Sequence, residues 1–239
     1  MRYIGGKYRL AKRISETILA RESERLHYVE PFVGGAAVLV KMAPHFSCSE
    51  ASDASEDIIL MWQALREGWV PDNVVTEEEY AALRTAEPSP FRSVVGFGGS
   101  FGGKWFGGYA RGGLEADGSP RNHLAESVRS VLKTRDALAD YDVTFRHCDY
   151  RNARVRPWSV VYCDPPYANT QGYKSVESFD TEAFWATMDA WSEFGASVYV
   201  SEYTAPPGWV SLWESEQLTN LKTTEQGRFT ATERLWVRE

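Results

Sequence analysis

Cysteine and histidine are scarce in this sequence, with three of the one and four of the other among 239 residues. Cys48, Cys148 and Cys163 are odd in number, widely spaced and never in a CxxC pair, which excludes a disulfide framework. Two of them end strand-like runs and read as free buried thiols. His27, His45, His123 and His147 fall at no metal-ligand spacing, so neither a structural nor a catalytic metal is expected. No apolar run approaches the roughly 20 residues of a membrane span, and the N-terminus is charged from Arg2 onward rather than built as a signal peptide. The cytoplasm is the expected compartment, with no membrane partner. The dinucleotide fingerprint GxGxxG is also missing, which argues against an NAD enzyme.

What is present is an ordinary globular composition, 43% hydrophobic and 25% charged, on a chain long enough for one core plus an insertion. The net charge of −7 is unevenly spread. Residues 2–27 and 92–156 each carry a net +4, against −8 for 28–91 and −7 for 157–239. Two basic segments on an acidic background allow a phosphate-binding face; solvated helix surfaces are the plainer explanation.

The most informative stretch is Val160-Val161-Tyr162-Cys163-Asp164-Pro165-Pro166-Tyr167. Four mostly apolar residues predict an interior strand, and two prolines then forbid both helix and further sheet pairing. In an open α/β sheet the carboxyl ends of the strands form the ligand crevice, which places Asp164 and Tyr167 at its mouth.

Upstream, the spacing predicts a helix over Tyr8 to Ala20, entered through Gly5-Gly6-Lys7. Such an entry offers backbone N–H groups and an ammonium to an anion, or is simply a turn. Leu26 to Val40 reads as strand, glycine turn and helix. Phe46 to Ser52 reads as a second strand, and Asp53 closes it about 20 residues after the glycines, where such folds place a ribose-binding acid. A helix N-cap is the simpler role for it. Val143 to Cys148 is a further strand, capped by Asp149; Ala196 to Ser201 is another. Trp209 to Leu218 and Thr232 to Val237 pair as a closing antiparallel hairpin.

Between Asp53 and the strand at Val143 lies a helical insertion. Helices are expected over Glu56 to Gly68, over 76–86, and over 120–139 beginning with Pro120. Among them, residues 96–113 carry glycine at nine of eighteen positions, interspersed with Phe97, Phe101, Trp105, Phe106 and Tyr109. This composition predicts a mobile loop or hairpin rather than a core helix, with Lys104, Trp105, Tyr109, Arg111 and the following Arg121 available to nucleic acid. The alternative is a hairpin whose aromatics pack on the insert itself.

Taken together, YIGGK, EPFVGGAAV, Asp53, CDPPY and the closing ERLWV resemble the DNA adenine methylase (Dam-type) family, in the alpha-group order of S-adenosylmethionine-dependent amino methyltransferases. The likeness runs from Tyr3 to Trp236. It implies an α/β fold: a Rossmann-like methyltransferase sheet with helices on both faces, a terminal antiparallel hairpin and a mainly helical inserted target-recognition subdomain. Residues 1–54 and 140–239 would form the catalytic domain and 55–139 the insert. The resemblance assigns Tyr3, Lys7, Phe32, Gly34, Gly35, Asp53, Asp149 and Asp164 to S-adenosylmethionine, with Asp53 on the ribose hydroxyls and Asp149 on the adenine amino group. It assigns Asp164, Pro165, Pro166 and Tyr167 to the target base. Two positions depart from the family: Tyr3 stands where tryptophan is usual, and Ala36 where glycine is.

The residue types suit the chemistry. An exocyclic amine is conjugated with its ring and is a poor nucleophile. Asp164 and the Pro165 carbonyl would accept both amine hydrogens and favour a nitrogen becoming tetrahedral and positive. Tyr167 would stack on a base rotated out of double-stranded DNA. No cysteine follows a proline, which excludes methylation at cytosine C5. The expected activity is site-specific DNA adenine methylation, in a restriction-modification system or outside one, by a bacterial or phage-encoded monomer or weak dimer. A cytosine 4-amino or RNA adenine methyltransferase, and a catalytically silent DNA-binding relative, are the alternatives.

Overall fold

The structure is a computed structural model that describes residues 6–24, 26–114, 118, 121–166, 179–218 and 230–238. Its strands are β1 (His27–Glu30), β2 (Cys48–Asp53), β3 (Val143–His147), β4 (Val160–Cys163), β5 (Ser197–Glu202), β6 (Trp209–Leu218) and β7 (Thr230–Arg238). Its helices are α1 (Ala11–Arg21), α2 (Leu39–Met42), α3 (Glu56–Arg66), α4 (Glu77–Leu83), α5 (Pro90–Gly98), α6 (His123–Ala137) and α7 (Thr181–Glu193).

The strands form one sheet in the order β3-β2-β1-β4-β5-β7-β6. β1 to β5 are mutually parallel, and β7 is antiparallel to both β5 and β6. The expected hairpin at one edge is therefore present. Because the chain builds outward from β1 in one direction and from β4 in the other, the order reverses between these two strands. A ligand crevice belongs outside their carboxyl ends.

Alternation of side chains across the pleat divides the core. Tyr28, Val160, Tyr162 and Tyr199 face one cluster with α1, α2, α3, α5 and α6. Val29, Val161, Cys163, Val198 and Val200 face a second with Phe184, Trp185 and Met188 of α7. Helices thus cover both faces. Near-continuous apolar strands such as β4 are what burial on both faces demands.

Several boundaries differ from expectation. α1 begins at Ala11, because the Lys7 carbonyl accepts from the N–H of both Leu10 and Ala11 and residues 8–10 are spent on that turn. The helix after the glycine turn is only four residues long and passes into a 3-10 turn carrying Pro44. α6 starts at His123, capped by Asn122; Pro120 lies outside the described residues. α4 follows its Thr76 signal closely, with a full capping box between Thr76 and Glu79.

The expectation that residues 96–113 contain no core helix is corrected. Gly96, Phe97 and Gly98 are buried in the last turn of α5. Here glycine serves close approach: a Cβ on Gly96 would meet Trp105 Cζ3 at 2.4 Å, and one on Gly98 would meet Ser127 Cβ of α6 at 2.5 Å. The aromatics pack on one another, with Trp105 centred 4.7 Å from Phe97 and 4.8 Å from Phe106, and Tyr80 5.1 Å from Phe106. A single antiparallel bridge, Ser100 to Tyr109, is all the hairpin that forms among the described residues.

The 55–139 stretch also begins packed against the sheet. Trp62 of α3 stacks on Phe145 of β3 at 5.7 Å and 13°, and one apolar cluster runs unbroken from the strands to α5 and α6.

Candidate active site

The cofactor side is built from the turn after β1. Pro31 ends that strand, and the chain then takes left-handed φ at Gly34 (43°) and again at Ala36 (56°). Glycine has no penalty there, whereas Ala36 holds a strained conformation. The turn is tied down from three directions. The Gly34 N–H donates to Asp53 Oδ2 at 3.0 Å, Trp62 Nε1 donates to the Gly34 carbonyl at 2.9 Å, and Tyr8 Oη donates to the Gly35 carbonyl at 3.0 Å. Asp53 also accepts from the Ser55 N–H at 2.9 Å, but the N-cap of α3 is Ser55, so the simpler expectation of a helix N-cap at Asp53 is corrected. Burial pushes its carboxyl up to about 6, against the pull of those two backbone donors.

Phe32 stacks on Tyr150 at 5.4 Å and 28° and meets Phe184 edge-on, so it walls the crevice on the α7 side. Asp149, past the end of β3, caps a 3-10 turn and accepts from the Arg151 side chain at 2.8 and 3.0 Å. The Arg151 guanidinium holds the Asp149 carboxyl below the usual range. The donor set fits S-adenosylmethionine: two carboxylates at adjacent strand ends, beside a turn whose glycines carry no side chain to block close approach.

The side expected to receive the target base lies at the end of β4. Asp164 is part-buried, Pro165 buried and Pro166 exposed. Lys7 Nζ lies 2.6 Å from Asp164 Oδ1 and 3.4 Å from Glu233 Oε1 of β7, with the lysine 6% exposed. Burial pulls the Lys7 ammonium down, but the Asp164 and Glu233 carboxylates outweigh it and hold the pKa above its ordinary value. The lysine that the sequence placed on the cofactor therefore meets the carboxylate that opens the Asp164-Pro165-Pro166-Tyr167 stretch. Tyr3 and Tyr167 lie outside the described residues.

Glu30, at the end of β1, is 2% exposed and accepts from Tyr28 Oη at 2.7 Å. Burial pushes it up to about 8; the Tyr28 hydrogen bond opposes this and the Asp164 charge adds to it. Sequence reasoning read Glu30 and Glu233 only as letters of motifs. A glutamate before proline at a buried strand end was a usable signal for the first, whereas nothing local marks the second.

On the insert, Lys104 is exposed, while Trp105 is half-buried beneath the Arg92 guanidinium at 5.0 Å. Tyr109 Oη donates to the Val75 carbonyl at 2.9 Å. Arg111 pairs with Glu77, and Arg121 with Glu126. Trp105 and Tyr109 thus pack into the insert, as the alternative reading of this segment anticipated, and are not open stacking platforms.

A parallel sheet closed by an antiparallel hairpin, with a glycine turn after β1 and acids ending β2 and β4 on either side of it, defines a Rossmann-like methyltransferase. The chain belongs to the D12 class N6 adenine-specific DNA methyltransferase family, whose model matches residues 3–89 and 118–222. It is an enzyme that methylates adenine in DNA, with S-adenosylmethionine as methyl donor. The internal unmatched stretch 90–117 includes α5 and the glycine-aromatic segment, and residues 223–239 also lie outside the match. The DNA adenine methylases of Escherichia coli (strain K12) and Salmonella typhi are each 28% identical to it over 80% of this chain and 72% of theirs. A crystal structure of magnesium protoporphyrin IX methyltransferase from Synechocystis PCC 6803 aligns at a TM-score of 0.44 and 10% identity, covering 99% of this chain and 81% of that one. Among the described residues, no three His, Cys, Asp or Glu side chains are grouped to hold a metal ion, and no helix is long and apolar enough to cross a membrane.

Proposed function

We propose that Asp164 and the Pro165 carbonyl receive the 6-amino group of an adenine rotated out of double-stranded DNA, and that Tyr167 stacks on that base. The observation that carries this reading is the meeting of Lys7 and Asp164, 157 residues apart in sequence, outside the ends of β1 and β4. Asp164 accepts one amine hydrogen and the proline-locked carbonyl the other, drawing the nitrogen lone pair out of conjugation. When bound, S-adenosylmethionine would supply a methyl group activated by a sulfonium, with a neutral thioether as the leaving group. The proton shed by the positively charged nitrogen goes to Asp164 and from there to water. Asp53 holds ribose hydroxyls, and Asp149 turns from Arg151 to the cofactor's adenine amine. Phe32, Gly34 and Gly35 shape the pocket, and Tyr3 adds a contact.

The insert, residues 55–139, is the target-recognition region, with Lys104, Arg111 and Arg121 on phosphates. Trp105 and Tyr109 support it from within. The protein acts in the cytoplasm as a monomer or weak dimer, within a restriction-modification system or alone. Incubation with genomic DNA and tritiated cofactor, followed by nucleoside analysis, tests the reading. Label in 6-methyladenine is the expected result; label in 4-methylcytosine, or in RNA alone, overturns it.

A further inference from the structure

Glu233 comes from the strand farthest in sequence from the glycine turn, yet β7 is inserted between β5 and β6 and so carries it back toward the crevice. It is buried, at 6% exposure. Its carboxylate and that of Asp164 lie 3.4 and 2.6 Å from the same Lys7 ammonium. One cation between two anions leaves the group with a net charge of −1. A lone Lys7–Asp164 pair would be neutral, and its lysine would sit wholly on the oxygen that the target amine needs.

We infer that Glu233 is a positioning residue for methyl transfer: it holds Lys7 when Asp164 turns to the amine, and it keeps the reacting end of the crevice net negative. The inference rests on the assignment of Asp164 to the target amine. The physical reason lies in the sign of the charge that develops. The amine nitrogen becomes positive in the transition state, and an ammonium held against Asp164 opposes that unless a second carboxylate balances it. Burial makes the effect large, since few waters screen the three charges. Lys7 also remains ion-paired throughout, so its buried charge is never left without a partner.

The test is steady-state methylation of genomic DNA by the full chain and by Glu233→Gln and Glu233→Asp. Cofactor affinity is measured separately by calorimetry, and folding by thermal melting. Gln keeps the shape and removes the charge, and is expected to lower kcat roughly ten- to a hundredfold. The KM for DNA, the Kd for S-adenosylmethionine and the melting temperature should change little. Asp, which restores the charge on a shorter arm, should recover part of kcat. An unchanged kcat in Glu233→Gln overturns the inference. So does a loss that tracks cofactor affinity or melting temperature, or an Asp variant no better than Gln. An active wild type with an unaffected Gln variant sinks this inference alone, whereas a wild type that forms no 6-methyladenine removes the assignment beneath it as well.

Discussion

The N–H of Gly34 donates to the carboxylate of Asp53 at 3.0 Å, locking the turn after β1 to the end of β2. If Asp53 holds the ribose as proposed, burial of this carboxylate should make cofactor binding depend on pH. Burial raises the Asp53 carboxyl to about 6, so the protonated form favours the folded state. That contribution to stability is complete below the unfolded value of about 3.9 and is lost as the pH rises through the folded one. Binding runs the opposite way, because the ionised carboxylate is the stronger acceptor for ribose hydroxyls. The Kd for S-adenosylmethionine should therefore rise as pH falls from 7 to 5, steepening below the Asp53 pKa toward about tenfold per unit. Calorimetry across that range should show Asp53→Asn binding weakly, with the Asp53 component of the pH dependence gone.

Asp164→Ala should remove methyl transfer while leaving cofactor binding measurable, since its role is toward the amine. A loss of roughly a hundred- to a thousandfold in kcat is expected for one such acceptor. Single-turnover assays with labelled cofactor and a parallel calorimetric titration would check it. Near-normal turnover would sink the mechanism.

Lys7→Met should destabilise the fold, because it leaves Asp164 and Glu233 facing each other in a buried setting. About 3 kcal/mol is the expected loss at neutral pH. The Lys7 ammonium is held above its ordinary pKa, so its own contribution is complete at neutral pH and is lost only as pH rises through that folded value. Urea unfolding of the parent and the variant at neutral pH would measure the deficit.

Lys104 and Trp105 are neighbours with different expected phenotypes. Lys104→Ala should weaken DNA binding and reduce the dependence of log K on log salt by about 1, with no change in melting temperature. Trp105→Ala should instead unfold the insert more readily, since its ring lies against Phe97, Phe106 and Arg92. A loss of about 3 kcal/mol is the scale for truncating such an aromatic. Filter binding at several salt concentrations, beside thermal melts, separates the two.

Ala36 invites a replacement that should change little. Glycine would relieve the left-handed strain, about 1 kcal/mol, but would forfeit a fully buried methyl worth about 0.8 kcal/mol and add chain entropy on unfolding. Ala36→Gly should therefore melt within a few degrees of the parent, whereas Ala36→Val, β-branched at positive φ in a closed core, should not fold well.

The strand segments, the carboxylates Asp53, Asp149 and Asp164 at or just past strand ends, and the closing hairpin were all legible in the sequence. Each is a local signal: a period-two or continuous apolar run, a breaker at its end, and a carboxylate just beyond. The glycine-aromatic segment misled because glycine has two uses that composition does not separate. At Gly96 and Gly98 it admits a ring and a neighbouring helix, and only the packing of α5 against Trp105 and Ser127 reveals that use. Likewise, Lys7 could be read as an ammonium near a ligand, but not as one shared by Asp164 and Glu233. That sharing depends on β7 entering the sheet between β5 and β6, a long-range pairing that no local pattern encodes. The sequence by itself determined the strands and the acids at their ends, because local periodicity and breakers place them, and its motifs carried the resemblance that implied the fold class and the chemistry. Tertiary structure alone decided which charges meet and which aromatics are buried, since both follow from contacts between segments far apart in the chain.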